Sequence, residues 1–366
     1  ASTWTVTDSQ GRWSAALVDG TYRVRYGDPV TSSRVQYHPD AASVTEASDI
    51  VLARQDVHVS AQLEPVRTAS SIRTASIAGA NRYETAVEIS RQSYPDGSNS
   101  IILVTGTSWP DGLGAASLSG ALDAPILLVK PTALPLTVAE EISRLGATQA
   151  YVVGGTAAVS DEVLDALAGV GISSAIRIGG TDRYETARLV AERVLELLRA
   201  DGREWDGTYI LASGETFPDV LSASPLAASR CWPVILTRAG HLPQPSARFA
   251  ADRPGSSAVI VGGTAAVSDG VARDVARMSA TPPVRLHGSN RYETALAVAE
   301  FARAEGYLDY SHIAVVTGQD FPDALACGAR QGRLGSPLLL TTGGALNAQV
   351  ERLVESLSAE DCSDIT

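Results

Sequence analysis

From residue 76 onward, short apolar runs alternate with longer stretches in which apolar residues recur every three or four positions. The runs at 101–104, 126–129 and 151–153 are apolar at every position, as strands buried on both faces are. Between such runs the pattern turns helical. Ala187, Val190, Ala191, Val194, Leu195 and Leu198 fall at i, i+3, i+4, i+7, i+8 and i+11, one face of a helix. Strand, helix, strand, helix in that order predicts a parallel sheet covered by helices. The first 66 residues have a period near two instead. Thr21-Tyr22-Arg23-Val24-Arg25-Tyr26 and Val57-His58-Val59-Ser60-Ala61-Gln62-Leu63 alternate, and turn residues such as Asp8-Ser9-Gln10-Gly11 separate the runs. This predicts a small all-β sandwich.

The helical and strand patterns recur as a domain-sized repeat. Arg82-Tyr83-Glu84-Thr85 returns as Arg183-Tyr184-Glu185-Thr186 and as Arg291-Tyr292-Glu293-Thr294, after steps of 101 and 108 residues. A second phrase comes after each copy: Ser108-Trp109-Pro110-Asp111, Thr216-Phe217-Pro218-Asp219 and Asp320-Phe321-Pro322-Asp323. A third is an apolar run opened by Pro125, Pro233 or Pro337. A fourth, Val153-Gly154-Gly155-Thr156-Ala157-Ala158-Val159-Ser160-Asp161, recurs from Val261 to Asp269 and is not reached in the third copy, where Ile365 and Thr366 align with the start of the last strand. The expected organisation is a β-sandwich at 1–66, a polar linker at 67–75, and repeats at 76–175, 176–283 and 284–366, the last incomplete.

Local chemistry accounts for much of these phrases. Asn81, Asp182 and Asn290 are good helix N-caps, and Glu84, Glu185 and Glu293 stand at capping-box spacing. Gly79, Gly180 and Gly288 precede them where a strand must turn sharply. Ser108, Thr216 and Asp320 are expected to cap the next helix, with Pro110, Pro218 and Pro322 in its first turn and Asp111, Asp219 and Asp323 complementing its dipole. The Gly-Gly phrase lacks the Lys of a P-loop and the spacing of G-x-G-x-x-G, so its glycines are read as a tight turn, with Ser160 and Ser268 as N-caps of the helix behind it. Capping requires neither the Arg nor the Tyr of the first phrase. Arg82, Arg183 and Arg291 contact an anion or a carbohydrate, or lock one repeat to its neighbour.

Charge and rare residues narrow the function. The formal net charge of -12 speaks against general attraction to nucleic acid or anionic membrane, so an anionic ligand needs a local arginine patch. The five histidines occupy no repeated position, and H-E-x-x-H, C-x-x-C and G-x-S-x-G motifs are missing from the sequence. Neither a metal site nor a cofactor site is predicted. Three cysteines make no disulfide framework. Cys231 and Cys327 read as buried, and Cys362 as a reactive candidate. No apolar run of membrane-spanning length occurs. A start at Ala1 fits a processed or truncated product, with any export signal out of view.

Taken together, the phrases from Gly79 to Ala86, Gly180 to Ala187 and Gly288 to Ala295, with the Pro-Asp, Pro-Ile-Leu and Val-Gly-Gly phrases behind them, resemble the cell wall binding repeat 2 family over about four fifths of the chain. The middle phrase departs from that family's Pro-Asp-Ala-Leu at Gly112 and Val220 and keeps it at Ala324. Near the N-terminus, Gly20-Thr21-Tyr22-Arg23-Val24 and Tyr37-His38-Pro39-Asp40-Ala41 resemble a carboxypeptidase-regulatory-like, prealbumin-like domain without its first strand. The family resemblance implies Toprim-like or Rossmann-like α/β units about a pseudo-threefold axis, on an exported protein of a Gram-positive bacterium. It also implies non-covalent anchoring to an anionic secondary cell-wall polysaccharide. The expected contacts are Arg82, Arg183 and Arg291, with Tyr83, Tyr184 and Tyr292 stacking on sugar rings and Asp111, Asp219 and Asp323 as a polar rim. Two rival readings are self-association into a surface layer or filament through open β-edges, and a cell-wall hydrolase.

Overall fold

The computed structural model describes residues 20–22, 24–26, 36–37, 50–52, 72–343, 346–358 and 361–366. The chain divides into two units, Ala1–Ser70 and Ser71–Thr366. The first contains β1 (Gly20–Tyr22), β2 (Arg25–Tyr26), β3 (Gln36–Tyr37) and β4 (Ile50–Leu52). Strand β1 pairs antiparallel with β4, and β2 with β3. The expected sandwich and its prealbumin-like resemblance rest on residues outside those described.

The second unit opens with β5 (Arg73–Thr74) and α1 (Arg82–Ser93). The first copy continues through β6 (Ser100–Thr105), a 3-10 turn at Pro110–Gly114, α2 (Ala115–Leu122), β7 (Ile126–Val129), α3 (Leu136–Leu145), β8 (Gln149–Val153), α4 (Asp161–Ala168) and β9 (Ser174–Ile178). The second runs through α5 (Arg183–Ala200), β10 (Thr208–Ser213), α6 (Pro218–Ser222), α7 (Ser224–Arg230), β11 (Val234–Thr237), α8 (Gln244–Ala251), β12 (Ser257–Val261), α9 (Asp269–Ala276) and β13 (Val284–Leu286). The third comprises α10 (Arg291–Ala304), β14 (His312–Thr317), α11 (Pro322–Leu334), β15 (Leu338–Thr341), α12 (Ala348–Ser356) and β16 (Asp364–Ile365). The periodicity read in the second copy is the buried face of α5, carried by Ala187, Val190, Ala191, Val194 and Leu198.

Each copy builds a four-stranded, fully parallel sheet, in the orders β7-β6-β8-β9, β11-β10-β12-β13 and β15-β14-β16-β5. All six residues of β6 are buried, because helices cover both faces of a parallel sheet. The edge strand before each Arg-Tyr-Glu-Thr phrase belongs to the sheet of the preceding copy. Strand β9 leads into α5 but pairs with β8, and β13 leads into α10 but pairs with β12. Strand β5 leads into α1 and pairs with β16, Arg73 opposite Asp364 and Thr74 opposite Ile365. The three copies therefore form a closed circle of exchanged edges. Residues 73–74, expected in the linker, are the fourth strand of the third sheet. A two-residue polar strand shows no period, and its partner lies at the far end of the sequence.

One helix from each copy meets the other two, α2, α7 and α11 packing on one another. Small residues set that approach. A Cβ added at Gly120 would lie 1.8 Å from the Ala228 carbonyl oxygen, and one at Gly332 would lie 2.3 Å from Ala228 Cβ. The core that joins the copies runs through Ala116, Leu118, Leu226, Ala227 and Leu325.

Candidate functional site

The turn ahead of α1, α5 and α10 is built from its own residues. Asn81 Oδ1 accepts the N–H groups of Tyr83 and Glu84, and Asp182 and Asn290 do the same in the other copies. The expected capping box is displaced by one residue. Glu84, Glu185 and Glu293 reach past the N-cap to the backbone N–H of Ala80, Thr181 and Ser289. The reason is the glycine before them, which brings the chain so close that an added Cβ at Gly79 would lie 2.3 Å from Glu84 Cβ. Thr85, Thr186 and Thr294 accept the N–H of Gly79, Gly180 and Gly288 and so close the turn.

This turn aims an arginine at the junction between copies. Arg82, Arg183 and Arg291 each donate Nη1 to the carbonyl of the glycine after the middle strand of their own sheet, Gly106, Gly214 and Gly318, at 2.6, 2.6 and 2.5 Å. The guanidinium then projects toward the preceding copy. Arg183 lies 5.1 Å from the Trp109 ring centre and Arg82 5.9 Å from that of Phe321, within cation–π range. Arg82 also pairs with Asp320 at 3.3 Å. The aromatic residues adjoin one another: Trp109 and Phe217 are 5.9 Å apart between ring centres, and Phe217 and Phe321 are 6.3 Å apart. A row of three aromatic side chains, edged by arginines, thus stands where the copies converge.

The aspartates sit behind the aromatic residues and face the same arginines. Burial holds Asp111 above the usual carboxylate range, against a hydrogen bond from Thr186 and the charge of Arg183, while Asp182 adds to the rise. Burial does the same to Asp219, opposed by Thr294 and Arg291. Asp323 is raised by burial and by Asp320, with Arg82 opposing. Each copy's Asp is therefore answered by the next copy's Arg, and the third is answered by the first. The Gly-Gly phrase packs here. Gly154 and Gly262 have φ of +117° and +120°, and a Cβ on either would lie 3.1 or 2.9 Å from an oxygen of Asp111 or Asp219. Those glycines admit the backbone to the carboxylate, which the Gly-rich pattern alone does not specify.

Other expected residues are placed differently. Ser108, Thr216 and Asp320 do not cap. The N-cap positions are Trp109, Phe217 and Phe321, in helical conformation and without a side-chain cap bond, because Pro at the next position needs no donor partner. Asp320 instead accepts from the Phe321 N–H at 2.9 Å. Ser268 accepts from Val271 N, whereas Ser160 makes no cap bond. The three tyrosine rings cover the junction glycines, since a Cβ on Gly106, Gly214 or Gly318 would strike the Cε1 of Tyr83, Tyr184 or Tyr292 at 2.7 to 3.0 Å. Tyr184 is only 4% exposed, whereas Tyr83 and Tyr292 are half-buried. Cys362, read as a reactive candidate, is 1% exposed and its thiol is pushed up by burial. The aromatic row was missed in the sequence, although the residue before each Pro-Asp is aromatic in all three copies.

Among the described residues no helix is long and apolar enough to cross a membrane. The family pattern described as Cell wall binding domain 2 (CWB2) matches residues 76–164, 177–272 and 285–360. The chain is 30% identical over 280 residues to the N-acetylmuramoyl-L-alanine amidase LytC of Bacillus subtilis (strain 168), covering 76% of this chain and 52% of that protein. It is 26% identical over 281 residues to the Amidase enhancer of the same organism, covering 76% of this chain and 36% of that protein. The chain thus spans about half or less of the curated relatives it matches. Two solved structures share the fold: Cwp6 from Clostridium difficile, with a TM-score of 0.74 at 24% identity over 87% of this chain and 49% of that one, and Cwp8 from Clostridium difficile, with 0.70 at 27% identity over 81% and 49%. Each match to the family pattern covers one of the three exchanged copies, and on that evidence the chain belongs to the Cell wall binding domain 2 (CWB2) family.

Proposed function

We propose that this chain holds an exported surface protein non-covalently on an anionic secondary polysaccharide of a Gram-positive cell wall, and itself performs no covalent chemistry. The observation that carries this reading is the circle of Arg82, Arg183 and Arg291 where the copies converge. Each stands at the first position of a helix, where the helix dipole adds positive potential. Each guanidinium is oriented by a glycine carbonyl, which takes one of its five donors. The Arg82 side chain keeps 36% of its surface exposed. Three similar weak contacts on one rigid body favour a ligand with repeated anionic groups, because binding at one raises the effective concentration at the next. The curated relatives support a cell-wall setting, since one carries the name of an N-acetylmuramoyl-L-alanine amidase.

The same arginines also tie the copies together, so the test has to separate the two roles. The triple variant Arg82→Gln, Arg183→Gln, Arg291→Gln is sedimented with purified walls well below its melting temperature, after circular dichroism has verified the fold. The expected result is a folded protein that stays in the supernatant. A folded triple variant that pellets like the parent would sink the assignment.

A further inference from the structure

The second copy carries a cleft that the junction arginines do not use. Its helix α5 has 18 residues, against 12 in α1 and 14 in α10. The added turns and the loop behind them wall a cleft of about 750 Å³, lined by Glu192, Glu196, Arg199, Arg203, Trp205 and Arg253 among others. Its volume falls in the range of small-molecule sites.

The lining is set before any ligand arrives. Trp205 donates its indole N–H to Thr208 O at 2.7 Å, which ties down the polar edge of the ring. The Arg253 guanidinium lies 4.1 Å from the Phe249 ring centre and donates one N–H to Phe249 O at 3.0 Å. Burial holds its basicity below the usual arginine range, against the charges of Glu192 and Asp252, and among the described residues it makes no ion pair within 4 Å. A half-buried guanidinium with unspent donors needs acceptors. The carboxylates of Glu192 and Glu196, paired with Arg188 and Arg193 and partly exposed, keep lone pairs free to accept from a ligand. A simple anion would meet the glutamates and a simple cation the arginines. A hydroxyl both donates and accepts, and a sugar ring presents several hydroxyls around an apolar face that fits a tryptophan.

We propose that this cleft is a separate carbohydrate site for a neutral saccharide of roughly two rings, with a pyranose face on Trp205 and hydroxyls bridging Arg253 to Glu192 or Glu196. It is independent of the junction arginines and, lacking a charged ligand, should bind without the salt dependence expected there.

The test is ligand-observed NMR with neutral disaccharides and trisaccharides of glucose, galactose, mannose and N-acetylglucosamine, at low and high salt. At least one saccharide is expected to bind saturably and equally at both salt levels. Trp205→Ala and Arg253→Gln are each expected to weaken it by about tenfold or more. Because Trp205→Ala removes packing, Arg253→Gln with an unchanged melting curve is the deciding variant, and its wall retention should stay at the parent level. No binding by any member of the panel would overturn the proposal. So would saccharide binding indifferent to Arg253→Gln, or saturation by a neutral tripeptide in place of sugars.

Discussion

The guanidinium of Arg183, in the second copy, lies 5.1 Å from the ring centre of Trp109, in the first. The same arginine holds Gly214 O and faces Asp111, so one side chain fixes its own turn and the junction beside it. Such cation–π contacts contribute about 0.5 to 2 kcal/mol, and truncating a large aromatic ring removes packing as well. Trp109→Ala is expected to lower the free energy of unfolding by about 3 kcal/mol. Trp109→Phe, the residue at the matching positions Phe217 and Phe321, is expected to cost about 1 kcal/mol. Urea unfolding of the two variants checks both the size and the order.

The meeting of α2 with α7 depends on the missing side chain of Gly120. An added Cβ would lie 1.8 Å from Ala228 O, a backbone atom that cannot swing aside. Gly120→Ala is expected to destabilise by about 3 kcal/mol or more. Gly240→Ala, with nothing within 4 Å of its added Cβ, should stay within about 0.5 kcal/mol. Thermal melts of the pair separate close approach from a general effect of replacing glycine.

Acid should act on two aspartates with opposite sign. Asp219 is raised by burial, so the folded state takes up a proton before the unfolded chain does. Its favourable contribution is full below the ordinary aspartate value and is lost as pH rises through the raised one. Asp206 is pushed up by burial but brought below its ordinary value by hydrogen bonds from Trp232, Thr208 and Arg230. Its contribution is present above the ordinary value and is lost as pH falls through the lowered one. Relative to the parent, Asp219→Asn is therefore expected to fare better at about pH 7 than at about pH 3.5, and Asp206→Asn worse. Urea midpoints at the two pH values decide it.

The exchanged edge at β5 makes a local prediction. Ala75 donates its N–H to Ile365 O at 3.0 Å, and proline there removes that bond. Ala75→Pro is expected to speed amide exchange in β16 and in the part of β14 that pairs with it, while β6 and β10 keep their protection. Unchanged exchange in β16 would mean that the exchanged edge adds nothing to the third copy, and uniform loss across all three sheets would mean that the copies open as one unit.

The local parts of this structure were legible in the sequence, and the long-range parts were not. Asn81, Glu84 and Gly79 lie within six residues of one another and announce a helix start by spacing alone. The face of α5 is a period of one segment. By contrast, Arg73 and Thr74 are polar and pair with a strand at the opposite end of the unit, which no local pattern reports. The aromatic row was hidden for another reason. Trp109, Phe217 and Phe321 precede prolines that look sufficient as helix starts, and only the folded junction shows them side by side. The tyrosine rings lie against the glycines after the middle strands, a contact between segments more than twenty residues apart that the Arg-Tyr spacing does not report.

The central claim is that a charged wall polymer is held at the junction arginines. The direct measurement is co-sedimentation of the purified chain with walls before and after chemical removal of their secondary polymers, across a salt series. The account predicts strong retention on intact walls that falls steadily with salt, and little on stripped walls. Equal retention on stripped walls, or retention indifferent to salt, would contradict it.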